Sequence, residues 1–187
     1  WKYEYVNGSF SELLEMLKNG QIDIMGNISY TEERAHYIDY GKAEPVREYY
    51  YLFVREDRTD ISASDLTTLN GAKVGINKGS VQVDLFENWC AENNIACDII
   101  LYESSAQRSK DMESGKLDAV VSTDVTTNNM ARYHWNALVK IGSSPYYFAV
   151  SKYRPDILEE LNDANIKVLQ SDWYYNEKVY VTIQHPV

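Results

Sequence analysis

Positive charge, cysteine and long apolar runs are all scarce in this chain of 187 residues, and each shortage closes off a class of function. Lys and Arg number 18 against 28 Asp and Glu, a net charge of -10. Nucleic-acid binding needs clustered cations that release counterions, and none are clustered here, so no nucleic-acid partner is expected. An acidic membrane surface would repel the chain as well. No apolar run approaches the roughly 18 residues that cross a bilayer; the longest are YYYLFV and short stretches such as DAVV. A basic region followed by an apolar one is also lacking, so a signal peptide is absent or already removed. The first residue is Trp1 and not Met, which reads as a piece cut from a longer chain.

The two cysteines, Cys90 and Cys97, flank an expected helix end in NWCAENNIACDII. Their spacing does not fit a zinc ribbon and no histidine pair accompanies them. Two readings stay open, buried reduced thiols or a local disulfide, and the second would favour an oxidising compartment. Catalytic signatures are missing too. His36, His134 and His185 are scattered, there is neither HExxH nor GxSxG, and carboxylates such as Glu32 and Glu33 read as solvated faces. In GINKGS only three residues separate the glycines and Ser80 follows Gly79 directly, so it is not a nucleotide-binding loop. It can still present backbone N–H groups to a small anion. No cofactor or metal is called for.

What the chain has is α/β rhythm. SFSELLEMLKNG carries Ser9 and Glu12 at capping-box spacing, puts Phe10, Leu13, Leu14 and Leu17 on one helical face, and stops at Asn19-Gly20. Ile22 to Met25 then form a short apolar run of the kind buried in parallel sheets. The same design recurs in SSAQRSKDMESGKLDAVVSTD, where GKLDAVVS matches GQIDIMGN in type from the glycine onward. Two such helix-to-strand units imply two similar α/β halves. Between them, AKVGINKGS reads as strand and turn, VQVDLFENWCAENN as helix and ACDIILY as strand. Farther on, VTTNNMARYHW reads as helix, SSPYYFAVSK as strand and PDILEELNDANIKVLQ as a helix with Pro155 in its first turn. The sixteen tyrosines, including YYY at 49–51 and the pairs at 146–147 and 174–175, suit strand and interface positions, and some could stack on a ligand.

One cluster stands apart. In GNISYTEERAHYIDYG, Asn27, Ser29, Thr31 and Arg34 come directly after the apolar run. A strand ending in Gly-Asn-Ile-Ser delivers backbone groups and small side chains to a sheet edge of the type where open α/β folds bind ligands. A guanidinium there can grip a carboxylate with two charge-assisted hydrogen bonds, each of about 1.5–3 kcal/mol. The residue types also allow a surface pairing of Arg34 with Glu32, Glu33 or Asp39.

The run from Phe10 through Tyr40, F-S-E-L-L-x-x-L-x-x-G-x-I-D-I-x-x-x-x-S-x-T-E-E-R-x-x-x-I-D-Y, resembles the signature of bacterial family 3 extracellular solute-binding proteins, a group that includes polar amino-acid receptors. VGINKGS, GKLDAVV and SPYYFAVSK with PDILEELNDA extend the likeness over nearly the whole chain. That resemblance implies an α/β, two-lobe periplasmic-binding-protein type 2 fold with a two-segment hinge. Lobe 1 would comprise 1–47 and 153–187, lobe 2 would be 48–152, and the crossings would lie near Pro45 to Glu48 and near Ser151 to Arg154. It further implies that Arg34 binds a ligand α-carboxylate with Ser29 and the N–H groups near Ser80. The Asn27 carbonyl would face an α-ammonium, Phe10 would wall the pocket, and Thr31 would cap the turn that positions Arg34. Lys78 would either lean into the cleft or, the preferred reading, be solvated.

Two departures qualify the likeness. Where the receptors carry an aspartate for the ammonium group, this chain has Thr123, with Asp124 one place later; either Asp124 serves after a loop shift, or the ligand lacks a cationic amine. WKYEYV resembles the second strand of lobe 1, so the preceding strand and helix are expected to be missing and lobe 1 incomplete at its N-terminus. The implied protein is a non-enzymatic binding domain outside the cytoplasm, membrane-associated in its full-length context. It would take an amino acid or small carboxylate and work with a membrane transporter or signalling protein. The alternative is an enzyme on the same scaffold, a lyase or peptidoglycan-cleaving protein, in which Glu103 or Asp124 would have to act as acid or base.

Overall fold

The structure, a computed structural model, describes residues 1–42, 46–123 and 134–171. The first helix, α1 (Phe10–Lys18), starts where its cap residues dictate. The Ser9 N–H donates to Glu12 Oε2 at 2.8 Å, and the Glu12 N–H donates back to Ser9 Oγ at 3.3 Å, so two of the orphan donors at the helix start are satisfied. The backbone hydrogen bond from Ser9 holds the Glu12 carboxyl below its ordinary range. Gly20 ends the segment with φ +71. A Cβ at that position would lie 2.7 Å from the Tyr153 ring, so both backbone conformation and space require glycine.

Contacts divide the chain into two compact units, residues 1–14 with 47–145, and residues 15–46 with 146–187. The first holds β3 (Val46–Arg55) from Arg47 onward, β4 (Lys73–Asn77), α3 (Gln82–Asn93), β5 (Asp98–Tyr102), α4 (Ser105–Glu113), β6 (Ala119–Thr123) and most of β7 (Trp135–Ser151). Its strand order is β7-β3-β6-β4-β5. β4 runs parallel to both β5 and β6, as crossovers through α3 and α4 require, whereas β3 meets β6 antiparallel, Leu52 opposite Val121. Tyr50, Leu52, Val74, Ile76, Phe86 and Val121 centre the larger core on one sheet face. Phe53, Met112, Leu117, Val120 and Trp135 pack under α4 on the other.

In the second unit β1 (Ile24–Ser29) and β2 (Ile38–Tyr40) pair antiparallel with the end of β7, and α5 (Pro155–Leu169) follows with Pro155 in its first turn. Here the sequence expectation needs correcting. The strand does end in Gly26-Asn27-Ile28-Ser29, but it does not enter a parallel sheet: β1 pairs antiparallel with β7, Ile24 and Met25 opposite Val150 and Ala149, and Ile28 and Ser29 opposite Tyr147 and Tyr146. The register breaks between Met25 and Ile28, and Asn27 adopts φ +57 at the break. Asparagine is among the few residues that tolerate that left-handed conformation, and the extra residue re-aims the strand end.

WKYEYV is likewise no strand. Residues 1–9 have no regular secondary structure, and Trp1, Tyr3 and Tyr5 are exposed, Tyr3 stacking on Tyr5 at 6.4 Å. An isolated extended segment has unpaired backbone groups and no ladder to hold it. Of the helix expected over 125–135, most lies outside the described residues, as do Tyr174, Tyr175 and His185, while Trp135 belongs to β7. Cys90 and Cys97 are free thiols in the larger core, and burial pushes Cys97 up to about 12.

Candidate functional site

In the second unit the cluster of Ser29, Thr31 and Arg34 folds around one carbonyl. Thr31 is the N-cap of the short helix α2 (Glu32–Ala35), its Oγ1 accepting from the Arg34 N–H at 3.1 Å, the capping role expected of it. That turn leaves Glu32 and Glu33 exposed and directs Arg34 inward, where only 6% of it is exposed. The surface pairing thus gives way to a buried guanidinium. Arg34 Nη1 donates to the Ser29 carbonyl at 2.9 Å, and the Tyr40 hydroxyl donates to the same oxygen at 3.1 Å. Ser29 is buried, and Asn27, at the strand break, is exposed.

Tyrosines wall this region. Tyr40 lies 5.1 Å from Tyr30 and 5.6 Å, edge-on, from Tyr147. Burial pushes the Tyr40 phenol up despite the hydrogen bonds around it. Desolvation does the same to Tyr37, whose ring Lys18 covers at 5.0 Å. Asp39, one of the partners considered for Arg34, instead lies 3.9 Å from Lys152. An open depression of about 330 Å³ lies on this unit, lined by Tyr30, Glu32, Ala35 and His36. His36 turns Nδ1 to its own helix, 2.7 Å from the Glu32 carbonyl oxygen.

The first unit gathers a second set of predicted residues. β4 ends in a turn where Gly79 has φ +72 and the Ser80 hydroxyl donates to the Asn77 carbonyl at 2.8 Å. The Ser80 N–H reaches that same oxygen at 3.4 Å. Lys78, exposed as expected, forms an ion pair with exposed Glu103 at 2.6 Å. Ser11 Oγ donates to the Lys78 carbonyl at 3.5 Å, and a Cβ on Gly79 would lie 3.3 Å from that hydroxyl, so the start of α1, with half-buried Phe10, adjoins this turn. Thr123 ends β6 opposite Tyr50, half-buried. Asp124 lies outside the described residues.

The structure therefore brings together Ser29 and Arg34 in one unit, and Phe10 and Ser80 in the other. Sequence reasoning missed Tyr40, the second donor to the Ser29 carbonyl, which only the pairing of β2 with β7 brings there. It also missed Arg108, buried on α4; its placement one turn before buried Met112, on the helix's inward face, was the available signal. Among the described residues no group of His, Cys, Asp and Glu could hold a metal ion, and no helix is long and apolar enough to cross a membrane.

Comparison with known proteins adds the following. The model of the family "bacterial extracellular solute-binding proteins, family 3" matches residues 1–176. A comparison with curated protein sequences finds no match. Among solved structures, an ancestral arginine-binding protein bound to glutamine superposes with a TM-score of 0.77 at 22% identity, covering 94% of this chain and 77% of that one. A histidine kinase sensor domain with similarity to periplasmic binding proteins gives 0.75 at 22% identity, covering 95% and 77%. An ancestral amino acid-binding protein, a precursor of cyclohexadienyl dehydratase, gives 0.71 at 23% identity, covering 94% and 75%. At these identities the structural likeness establishes the type 2 periplasmic-binding-protein fold.

Proposed function

The chain belongs to the bacterial extracellular solute-binding proteins, family 3, and from that membership we propose that it captures an amino-acid-like or small carboxylate ligand between two lobes that close by a hinge. The lobes are placed at 1–47 with 153–187 and at 48–152, with crossings near 45–48 and 151–154. The contact units divide the chain at 14, 46 and 145; the divisions at 46 and 145 support the two crossings, whereas residues 1–14 group with the middle block and not with lobe 1. Lobe closure around a ligand is a hinge motion of the common kind.

The observation that carries the reading is Arg34. A guanidinium only 6% exposed, held by Nη1 on the Ser29 carbonyl, is set in one orientation before any ligand arrives. Such a fork binds a carboxylate through parallel charge-assisted hydrogen bonds without losing much side-chain freedom. Ser29 and the turn at Ser80 would complete the carboxylate site, Asn27 would face an amine, and Phe10 would wall the pocket. Thr123 and Asp124 stand where the family's ammonium-binding aspartate is expected, and the substitution by Thr123 favours a ligand whose amine is not held there or is absent.

The protein works outside the cytoplasm, as a transporter receptor or as the sensor domain of a membrane signalling protein. The kinase sensor domain among its structural neighbours supports the second context. An enzymatic role draws on the dehydratase precursor alone. Glu103, one candidate acid, is exposed and paired with Lys78.

Calorimetric titration of the full-length chain against amino acids and simple carboxylates tests the reading, with Arg34→Ala beside it. Loss of about 2 kcal/mol or more on that substitution is expected. Unchanged affinity would remove Arg34 from the site, and turnover of any bound solute would move the protein to the enzymes.

A further inference from the structure

The chain has two cysteines, and the fold brings their side chains together. Cys90, 8% exposed, lies in the last turn of α3. Cys97, half-buried, immediately precedes β5 and packs on the core that contains Cys90. A hydrogen bond joins the two thiols. The turn between them is fixed by its own hydrogen bonds. Asn94 ends α3 with φ +56, and the Ile95 N–H donates to the Cys90 carbonyl at 2.9 Å. The Ala96 N–H donates to Asn70 Oδ1 at 2.9 Å, while the Gly71 N–H donates to the Ala96 carbonyl at 2.7 Å. Cys97 Sγ itself donates to the Leu69 carbonyl at 3.3 Å. Both cysteines are thus carried on backbone that is already held in place, so joining their sulfurs requires little movement of the chain.

The surroundings oppose the reactive uses of a thiol pair. Burial is the largest influence on both and pushes both up, Cys97 to about 12. The other influences are the neighbouring thiol and the carboxylates of Glu87 and Asp98, with no cation among them. A nucleophilic or metal-binding cysteine needs its thiolate stabilised, and this setting does the opposite. A disulfide carries no charge and leaves no S–H in need of an acceptor, and bonds of this kind persist in the extracellular setting of the family. The location also gives the bond a mechanical role. β5 lies at the edge of the sheet, next to β4, and α3 is the crossover between those two strands.

We propose that Cys90 and Cys97 are a disulfide-forming pair, and that their bond fastens the carboxyl end of α3 to the start of the edge strand β5. A small-molecule disulfide such as oxidised glutathione is the oxidant. The Cys97 thiolate, the more exposed of the two, attacks one of its sulfurs and expels one thiol; the Cys90 thiolate then attacks the Cys97 sulfur and expels the second. Each cysteine loses a proton, the pair gives up two electrons, and the oxidant leaves as two thiols. This inference does not involve Arg34 and stands or falls separately from the solute-capture reading.

Incubating the native full-length chain with oxidised glutathione, then denaturing it without reductant in the presence of a maleimide, tests the bond by intact mass and peptide mapping. The expected product is a monomer lighter than the reduced chain by about 2 Da, two hydrogen atoms, with no maleimide on either cysteine and the peptides of Cys90 and Cys97 linked. Maleimide on both cysteines, a lasting glutathione adduct on Cys97 beside an alkylated Cys90, or a disulfide between two copies overturns the proposal. The linked chain is further expected to unfold about 4 °C or more above the reduced one. The double variant Cys90→Ala, Cys97→Ala is expected to unfold at the same midpoint with reduced or oxidised glutathione. Equal midpoints for the linked and reduced native chain would overturn the fastening role, and that comparison holds whether or not the variant folds.

Discussion

At the residue scale, one arginine and two aspartates show how surroundings change what a charge does. Arg58 joins Asp118 and Asp60, and Asp118 also accepts from the Lys73 N–H at 2.8 Å. Burial alone would push Asp118 up, but the Lys73 N–H and the Arg58 guanidinium outweigh it and hold the carboxyl below its usual range. Asp60 is held at about 2 by its hydrogen bonds from Arg58. Because both folded-state values lie below the ordinary aspartate value of about 3.9, their contribution is complete above that pH. It is lost as the pH falls toward about 2. Asp118→Asn keeps an acceptor for Lys73 but loses the charge opposite Arg58, and is expected to cost about 1–2 kcal/mol in urea unfolding at neutral pH, solvent exposure tempering the effect. The variant is also expected to show a flatter fall in stability between about pH 4 and pH 2; an identical acid profile would show that Asp118 carries none of it.

At the element scale, β4 is the strand on which α4 rests, and it can do so because residue 75 has no side chain. A Cβ there would sit 2.5 Å from Leu117 Cδ1 and 3.0 Å from Arg108 Cγ. Leu117 is 1% exposed and has no room to yield. Gly75→Ala is expected to destabilise the chain by about 1–3 kcal/mol through overpacking, measured by urea unfolding with an unchanged slope. A neutral result would mean that α4 shifts freely on the sheet, which would also loosen the setting of Arg108. The other elements follow their local signals. The α1 cap, the left-handed Gly20 and Gly115, and Pro155 at the start of α5 lie where side-chain hydrogen bonding and backbone conformation place them.

At the scale of the whole molecule, the net charge of -10 sets the long-range field that an approaching solute meets. For an anionic ligand that field is repulsive, and added salt shortens its reach to about 8 Å at physiological strength. Association of a carboxylate ligand, followed by stopped-flow fluorescence, is therefore expected to quicken by about twofold between low and physiological ionic strength. Slowing instead would show that local positive charge around the site outweighs the acidic whole.

The sequence by itself determined the elements and the family, because both are written in local code: a capping box, glycines at helix ends, periodicity of 3.6 or 2, and the spacing S-x-T-x-x-R. It also brought Arg34 and Ser29 into view as neighbours along the chain. It misjudged β1, whose apolar run looks the same whether the partner strand is parallel or antiparallel, and WKYEYV, whose alternation signals a strand only if another strand lies beside it. Tertiary structure alone decided that Arg34 is buried, that Tyr40 shares its acceptor, and that Arg108, on α4, is buried with its Nη1 on the Val121 carbonyl. Pairing and burial depend on residues distant in sequence, and a charged side chain reads the same on paper whether water or a sheet surrounds it.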